Sequence, residues 1–172
     1  TGRVALLVAR KLSGTPHATG SDPGKAADIR VFGLDASPEM IRLARRKADR
    51  AGLPCQFDVG LAERLPYGDA SFDKVVSTFF FHHLIRDDKL AALREVNRVL
   101  RPDGLFVLVD VDVPTTWLGR ACTACAAWLF KQPELEENIR GLLPTLFAVA
   151  GFARGERKAH GLGYLTTFLL AK

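Results

Sequence analysis

Two places near the start of the sequence carry residue types suited to a nucleotide-like ligand. Thr1-Gly2 stands directly before a segment of helical periodicity, where unpaired backbone N–H groups and the helix dipole favour a negatively charged group. Asp35 closes the short apolar segment Ile29-Arg30-Val31-Phe32-Gly33-Leu34, and an acid at the end of a strand can accept both hydroxyls of a ribose. Further on, His82 and His83 follow Phe79-Phe80-Phe81 and are candidates for a general base, His83 being the one favoured. Asp110 and Asp112, just past an apolar run, are carboxylates able to face the molecule on which such a base would act. Each of these residues is also an ordinary loop residue, so its meaning rests on the elements that position it.

Those elements follow from periodicity and punctuation. Val4, Leu7, Val8 and Leu12 recur at helical spacing. Residues 13–28 are rich in Gly, Pro, Ser, Thr, Asp and Ala and predict a flexible surface insertion. After the strand ending at Asp35, Ser37 as N-cap, Pro38 and Glu39 start a helix that Gly52 stops, with Ile41, Ala44, Ala48 and Ala51 as its buried stripe. Cys55–Val59 predicts a strand, 60–71 a polar loop, and Asp73-Lys74-Val75-Val76-Ser77 another strand. Asp87 or Asp88 is expected to cap a helix with Leu90, Leu93, Val96 and Leu100 inward, ending at Arg101-Pro102-Asp103-Gly104. Leu105-Phe106-Val107-Leu108-Val109 has the continuous apolar character of a strand covered on both faces. Residues 115–130 and 135–150 predict two helices, the second interrupted near Pro144. Strands around 155–159 and 164–170 flank Gly161-Leu162-Gly163, a hairpin-sized turn. The expectation is one α/β domain over 1–172, its sheet mostly parallel with an antiparallel pair at the end.

Composition excludes several other classes. The chain of 172 residues is 48% hydrophobic and 25% charged, ordinary for a globular protein, and no apolar run approaches the roughly 20 residues a membrane span requires. No charged segment followed by an apolar one opens it, so a cytoplasmic location is expected. The net charge of +5 draws on Arg42, Arg45, Arg46, Lys47 and Arg50 along one helix; no aromatics are interleaved with them, which favours a solvated face over nucleic acid. Cys122 and Cys125 form a C-x-x-C in an Ala-rich stretch without a second pair or a nearby histidine, and are expected to pack as small apolar residues; no metal site is expected.

The order of several segments resembles the class I S-adenosylmethionine-dependent methyltransferases, closest to the subgroup of ubiquinone and menaquinone C-methyltransferases. Thr1-Gly2-Arg3 resembles the tail of the family's glycine-rich first motif, and Gly33-Leu34-Asp35-Ala36-Ser37-Pro38-Glu39-Met40 its second. Ala62-Glu63-Arg64-Leu65-Pro66-Tyr67 with Ser71-Phe72-Asp73 resembles the adenine-side loop and fourth strand. Leu93 to Gly104, LREVNRVLRPDG, resembles the helix and turn before the fifth strand. The resemblance implies a Rossmann-like fold and S-adenosylmethionine as cofactor. It implies Thr1 and Gly2 against the methionine part, Asp35 on the ribose hydroxyls, and Ala36 and Met40 near the adenine. Ala62 would present backbone to the adenine edge, and Thr78 would line the pocket after the fourth strand. Leu61 stands where relatives often carry Asp or Asn, which leaves that edge to backbone groups. The family's first strand and the earlier part of its first motif have no counterpart in this sequence, so the strands on either side of it are expected to have unpaired edges, at about 1–3 kcal/mol per unsatisfied group, and cofactor binding to be weak.

Methyl transfer needs chiefly in-line positioning of an acceptor, with a base only where the acceptor must lose a proton. Residues 115–150, with Trp117, Leu118, Trp128, Leu129 and Phe130, are expected on the acceptor side, over a small hydrophobic molecule met at a membrane surface or simply packed on the sheet. A non-catalytic methyltransferase-like module and a nicotinamide-dependent dehydrogenase are the competing readings.

Overall fold

The computed structural model describes residues 2–13, 30–130 and 133–172, with no side-chain account of Leu12, Ser13, Phe130 and Pro133. Thr1 and the expected insertion beyond Ser13 lie outside the described residues. The chain forms two compact units, Thr1–Leu61 and Ala62–Lys172.

The first unit holds α1 (Arg3–Ser13), β1 (Val31–Asp35), α2 (Pro38–Ala51) and β2 (Cys55–Val59). β1 and β2 pair in parallel from Val31↔Cys55 to Asp35↔Val59. α2 forms as its punctuation predicts: the Ser37 hydroxyl accepts from Met40 N, Pro38 opens the first turn, and Gly52 ends the helix in the left-handed region at φ 61°. Its buried residues are Ile41, Ala44 and Ala48, while Ala51 is exposed. α1 presents a different stripe from the one its large residues suggest. Ala9 is buried and Ala5 and Leu6 pack on the core, whereas Leu7 is 54% exposed. Close approach of helix to strand selects this small face, because the Phe57 ring fills the space: a Cβ on Gly33 would lie 2.6 Å from it.

The second unit holds β3 (Phe72–Thr78), a 3-10 turn at Phe81–His83, α3 (Arg86–Val99), β4 (Leu100–Val111), α4 (Trp117–Phe130), α5 (Pro133–Ile139), α6 (Leu142–Val149), β5 (Arg154–Gly161) and β6 (Leu165–Ala171). Its sheet has the order β3-β4-β6-β5, with β3–β4 parallel and the other pairs antiparallel. Leu93 and Val96 of α3, Leu143, Leu146 and Phe147 of α6, and Phe106, Leu108, Phe168 and Leu170 of the sheet form its core.

Several boundaries differ from expectation for physical reasons. No side chain caps α3; Ile85 stands at its N-cap, and Asp87 and Asp88 lie in the first turn, where acids still favour the helix dipole. β4 begins at Leu100, and the Arg101-Pro102-Asp103-Gly104 turn is an irregularity inside it, across which the pairing with β3 shifts between Phe72 and Lys74. Along β4 from Gly104 to Asp110 full burial alternates with partial burial, so one face carries the core and the other is only half covered. The helical break falls at Gly141, φ 85°, rather than at Pro144, which sits in the first turn of α6 where no N–H is needed.

Each unit thus has its own sheet. β1 has only β2 as a strand neighbour and β3 only β4, so among the described residues no strand pairs with the second edge of either.

Candidate functional site

In the first unit the candidate residues gather at the carboxyl end of β1. Asp35 Oδ1 accepts from Ser37 N at 2.9 Å, which locks the turn into α2 and leaves Oδ2 without a protein donor among the described residues. A half-buried carboxylate with one oxygen open, at the end of a parallel strand, suits a vicinal diol. Ala36 is exposed and Met40 half-buried in the next turns. Gly2 precedes α1 at φ 65° and accepts from Leu6 N at 3.0 Å. A Cβ there would come within 2.7 Å of Ala44 and 2.9 Å of Phe57, so packing against α2 and β2 already requires glycine. Leu61, the last residue of this unit, is 59% exposed and brings no polar side-chain group.

In the second unit the loop that begins at Ala62 is held by α3. Glu95 Oε2 accepts from Leu65 N at 2.8 Å. The Arg98 guanidinium donates to the carbonyls of Leu65 and Tyr67 at 3.2 and 2.9 Å, to Asp69 at 2.6 Å, and to both oxygens of Glu95 at 2.7 and 2.8 Å. Hydrogen bonding to Arg98 holds the Glu95 carboxyl below the usual carboxylate range, and the same pairing raises Arg98. The sequence places Glu95 and Arg98 three residues apart on one helix face but gives no sign of what they hold, thirty residues upstream.

Thr78, half-buried, ends β3 and pairs with Val109. The chain then reverses through Phe79 in the left-handed region at φ 52°, its N–H donating to Val109 O at 2.9 Å. This turn aims Phe80 N and Phe81 N at Asp110 Oδ2, at 3.0 and 2.8 Å. The other oxygen of Asp110 accepts from Val111 N at 2.8 Å and lies 2.7 Å from His82 Nδ1. Asp110 is fully buried and the His82 side chain is 13% exposed. His83, the favoured base from the sequence, lies against His82 with ring centroids 4.0 Å apart and planes tilted by 43°, and has no carboxylate partner among the described residues. Burial and the adjacent His82 hold His83 below the usual histidine value, Asp110 pulling the other way. Asp112 is also buried, its Oδ2 accepting from Arg157 Nε at 3.1 Å.

A cavity of about 300 Å3 opens beside this pair, lined by His82, His83, Val111, Cys122, Thr123, Ala126, Leu135 and Tyr164. It lies past the carboxyl ends of β3 and β4, where open α/β sheets bind ligands. α4 walls it on one side and turns its other side outward: Trp117, Arg120, Ala121, Ala124, Cys125 and Trp128 are all exposed. Cys122 and Cys125 are therefore not packed in the core, and both thiols are free. The first turn of α4 is seated on the hairpin tip, where Thr115 N donates to Gly163 O at 2.9 Å. No helix among the described residues is long and apolar enough to cross a membrane, and no cluster of metal-ligating side chains occurs among them.

Comparison with known proteins agrees with this architecture. A family profile described as a methyltransferase domain matches residues 14–108. A demethylmenaquinone methyltransferase of Deinococcus radiodurans is 40% identical over 94 residues, covering 55% of this chain and 38% of its own length. A ubiquinone/menaquinone biosynthesis C-methyltransferase of Rubrivivax gelatinosus is 35% identical over 127 residues, covering 67% of this chain and 49% of its own length. The chain thus spans half or less of these two relatives. The crystal structure of a SAM-dependent methyltransferase from Aquifex aeolicus superposes with a TM-score of 0.62 at 22% identity, covering 82% of this chain and 68% of that one, a likeness of fold. With the family profile matched over more than half its length, the chain belongs to the methyltransferase domain family, related to the ubiquinone/menaquinone C-methyltransferases.

Proposed function

We propose that this protein binds S-adenosylmethionine and transfers its methyl group to a small hydrophobic acceptor reached at a membrane surface. The observation that carries the reading is the Asp35 carboxylate, fixed through one oxygen by Ser37 N and open at the other. The cofactor supplies a methyl group on a sulfonium that is already a good leaving group, so the chain's own task is to bind and orient. Asp35 accepts the ribose hydroxyls. Gly2 and Thr1 border the methionine part, Ala36 and Met40 flank the adenine, and the backbone at Leu61 and Ala62 reads its edge. Thr78 borders the site after β3. The family profile runs unbroken across Leu61 and Ala62, which supports treating both units as parts of one methyltransferase domain.

The apolar cavity supports a hydrophobic acceptor, and the outward face of α4 supports a membrane surface as its source. Trp117 and Trp128 are 11 residues apart, three helical turns, so they anchor the same face at its two ends. Leu118 and Leu129 flank them, Arg120 lies between, and α4 contains no acid. Tryptophan anchors with a cation and no acid suit the interface of an anionic bilayer.

The cofactor reading is tested by calorimetric titration of the protein with S-adenosylhomocysteine, beside a thermal-shift comparison with NAD. Asp35→Ala removes two charge-assisted hydrogen bonds to the ribose and is expected to weaken binding about 30–150-fold, equivalent to about 2–3 kcal/mol. Stabilisation by NAD but not by S-adenosylhomocysteine would overturn the reading in favour of a dehydrogenase. No stabilisation by either would favour a non-catalytic module.

A further inference from the structure

We propose that Cys122 and Cys125 form a modification site, at which exchange with a low-molecular-weight disulfide converts the two thiols into a disulfide within α4. Closing it reshapes the cavity wall to which Cys122 belongs. The inference goes beyond methyl transfer and is tested without turnover.

Exposure and spacing single out this pair among the three cysteines of the chain. Cys55 lies half-buried in β2, and burial pushes its thiol up, which leaves less of the reactive thiolate. Cys122 and Cys125 are both free and both exposed. A separation of three residues in a helix puts the Cα atoms about 5 Å apart, inside the roughly 4.4–6.8 Å that a disulfide bridges. The Cβ atoms of a regular turn are about 5–6 Å apart and must come to about 4 Å. Closure therefore draws the turn toward the tighter 3-10 form, in which side chains three residues apart eclipse.

α4 can yield at this place. Thr123, between the two cysteines, is buried, and its hydroxyl donates to the carbonyls of Gly119 and Arg120 at 2.9 and 3.2 Å, a back-bonding that bends helices. Residues 120–122, 124 and 125 are exposed, so the turn tightens without moving core side chains on that side. A disulfide that distorts its helix is easily reduced, which makes the modification reversible. Cys122, Thr123 and Ala126 all line the cavity, so the same tightening moves its wall.

The chemistry is two exchange steps. The Cys125 thiolate attacks one sulfur of the small disulfide; a new S–S bond forms, the old one breaks, and one small thiolate leaves with the bonding pair. The Cys122 thiolate then attacks Cys125 Sγ and expels the second small thiolate. The cysteines are oxidised, the small disulfide is reduced to two thiols, and the protons given up by the cysteines end on those thiols. Cys125 attacks first because Cys122 is set at the cavity wall.

The reduced native protein is incubated with oxidised glutathione without denaturant, alkylated and mapped by mass. Cys122 and Cys125 are expected in one peptide that lacks two hydrogens and takes no alkyl group, with Cys55 still alkylated. Trp117 and Trp128, the two tryptophans of the chain, flank the pair in α4, so their emission is expected to fall on oxidation and recover with dithiothreitol. Cys122→Ser is expected to stop at a glutathione adduct on Cys125, and Cys55→Ser to oxidise as the native chain does. A lasting glutathione adduct on the native protein, a disulfide between two copies, a bond to Cys55 or no reaction would each overturn the site. Cys125→Ser is expected to gain its adduct on Cys122 more slowly than Cys122→Ser gains its own; the reverse order overturns the assignment of the attacking thiol. Hydrogen exchange at the Thr123 and Ala126 amides is expected to change on oxidation, and unchanged rates overturn the reshaping of the wall.

Discussion

Arg98→Ala tests whether α3 holds the loop that begins at Ala62. The guanidinium donates to Leu65 O, Tyr67 O, Asp69 and both oxygens of Glu95. Arg98 is 32% exposed and Asp69 79%, so the ion pairs together contribute no more than about 1 kcal/mol. The carbonyls of Leu65 and Tyr67 belong to half-buried residues, and each loses its donor at a cost of about 1 kcal/mol. The expected destabilisation is about 3 kcal/mol, read as a shift of the urea midpoint at unchanged slope. Arg98→Lys keeps the charge but not the planar fork that reaches four partners, and is expected to lose about 2 kcal/mol. Local loosening appears as faster hydrogen exchange at the Leu65 amide, whose acceptor is Glu95. The pH dependence has a defined sign. Glu95 titrates below its ordinary value of 4.5 in the folded chain, so its contribution is complete above that value and fades as pH falls through the folded one. Arg98→Ala should shrink that acid-limb dependence, leaving the part that the Leu65 amide supplies. A change under about 0.5 kcal/mol with unaltered Leu65 exchange would refute the clamp.

Two further outcomes follow from the packing around α4. Gly119→Ala puts a Cβ 2.3 Å from Gly163 O, so the hairpin tip and the first turn of α4 must separate; a loss of about 1–3 kcal/mol is expected, with altered Trp117 fluorescence, and native stability would show that the contact is loose. Sedimentation with anionic phosphatidylglycerol vesicles should fall at least about tenfold in affinity for the Trp117→Ala, Trp128→Ala double variant. Native protein that stays wholly in the supernatant would remove membrane contact from the proposal.

What the sequence made legible is set by the range of each interaction. α2 could be placed almost to the residue because its signals are local: Ser37, Pro38 and Gly52 act within one turn of the ends they define. The hairpin was legible for the same reason, Leu162 and Gly163 both taking positive φ between two strand-forming runs. The helix α1 was legible from its spacing, but the face it buries was not, because that depends on Phe57, more than forty residues away, against whose cluster Ala5 and Leu6 pack. β4 was entered late because Pro102 and Gly104 look like a stop, yet the strand tolerates them at an irregular edge of its pairing. Asp35 was visible as a candidate through its motif. His82 and Asp110 were each visible, but no pattern in the sequence joins residues 28 apart, and only the parallel register of β3 and β4 brings them together.

That register also accounts for the strained residue between them. With Thr78 opposite Val109, the chain leaving β3 must turn at once to cross the end of β4. Phe79 makes the turn at φ 52°, a conformation costing a non-glycine residue on the order of 1 kcal/mol. Phe79 N to Val109 O anchors the start, and Phe80 N and Phe81 N fall to Asp110, so three bonds offset the strain. The same geometry delivers His82 to the remaining oxygen, one residue after the last backbone donor. A shorter polar residue at 110 would leave the Phe80 and Phe81 N–H groups, one part-buried and one buried, without their acceptor, and an extended residue 79 would carry His82 away from β4. The carboxylate that orients the imidazole is therefore the one that pins the turn. Substitutions at Asp110 must accordingly be judged by the tautomer of His82 as well as by stability, because loss of activity alone would follow from either role.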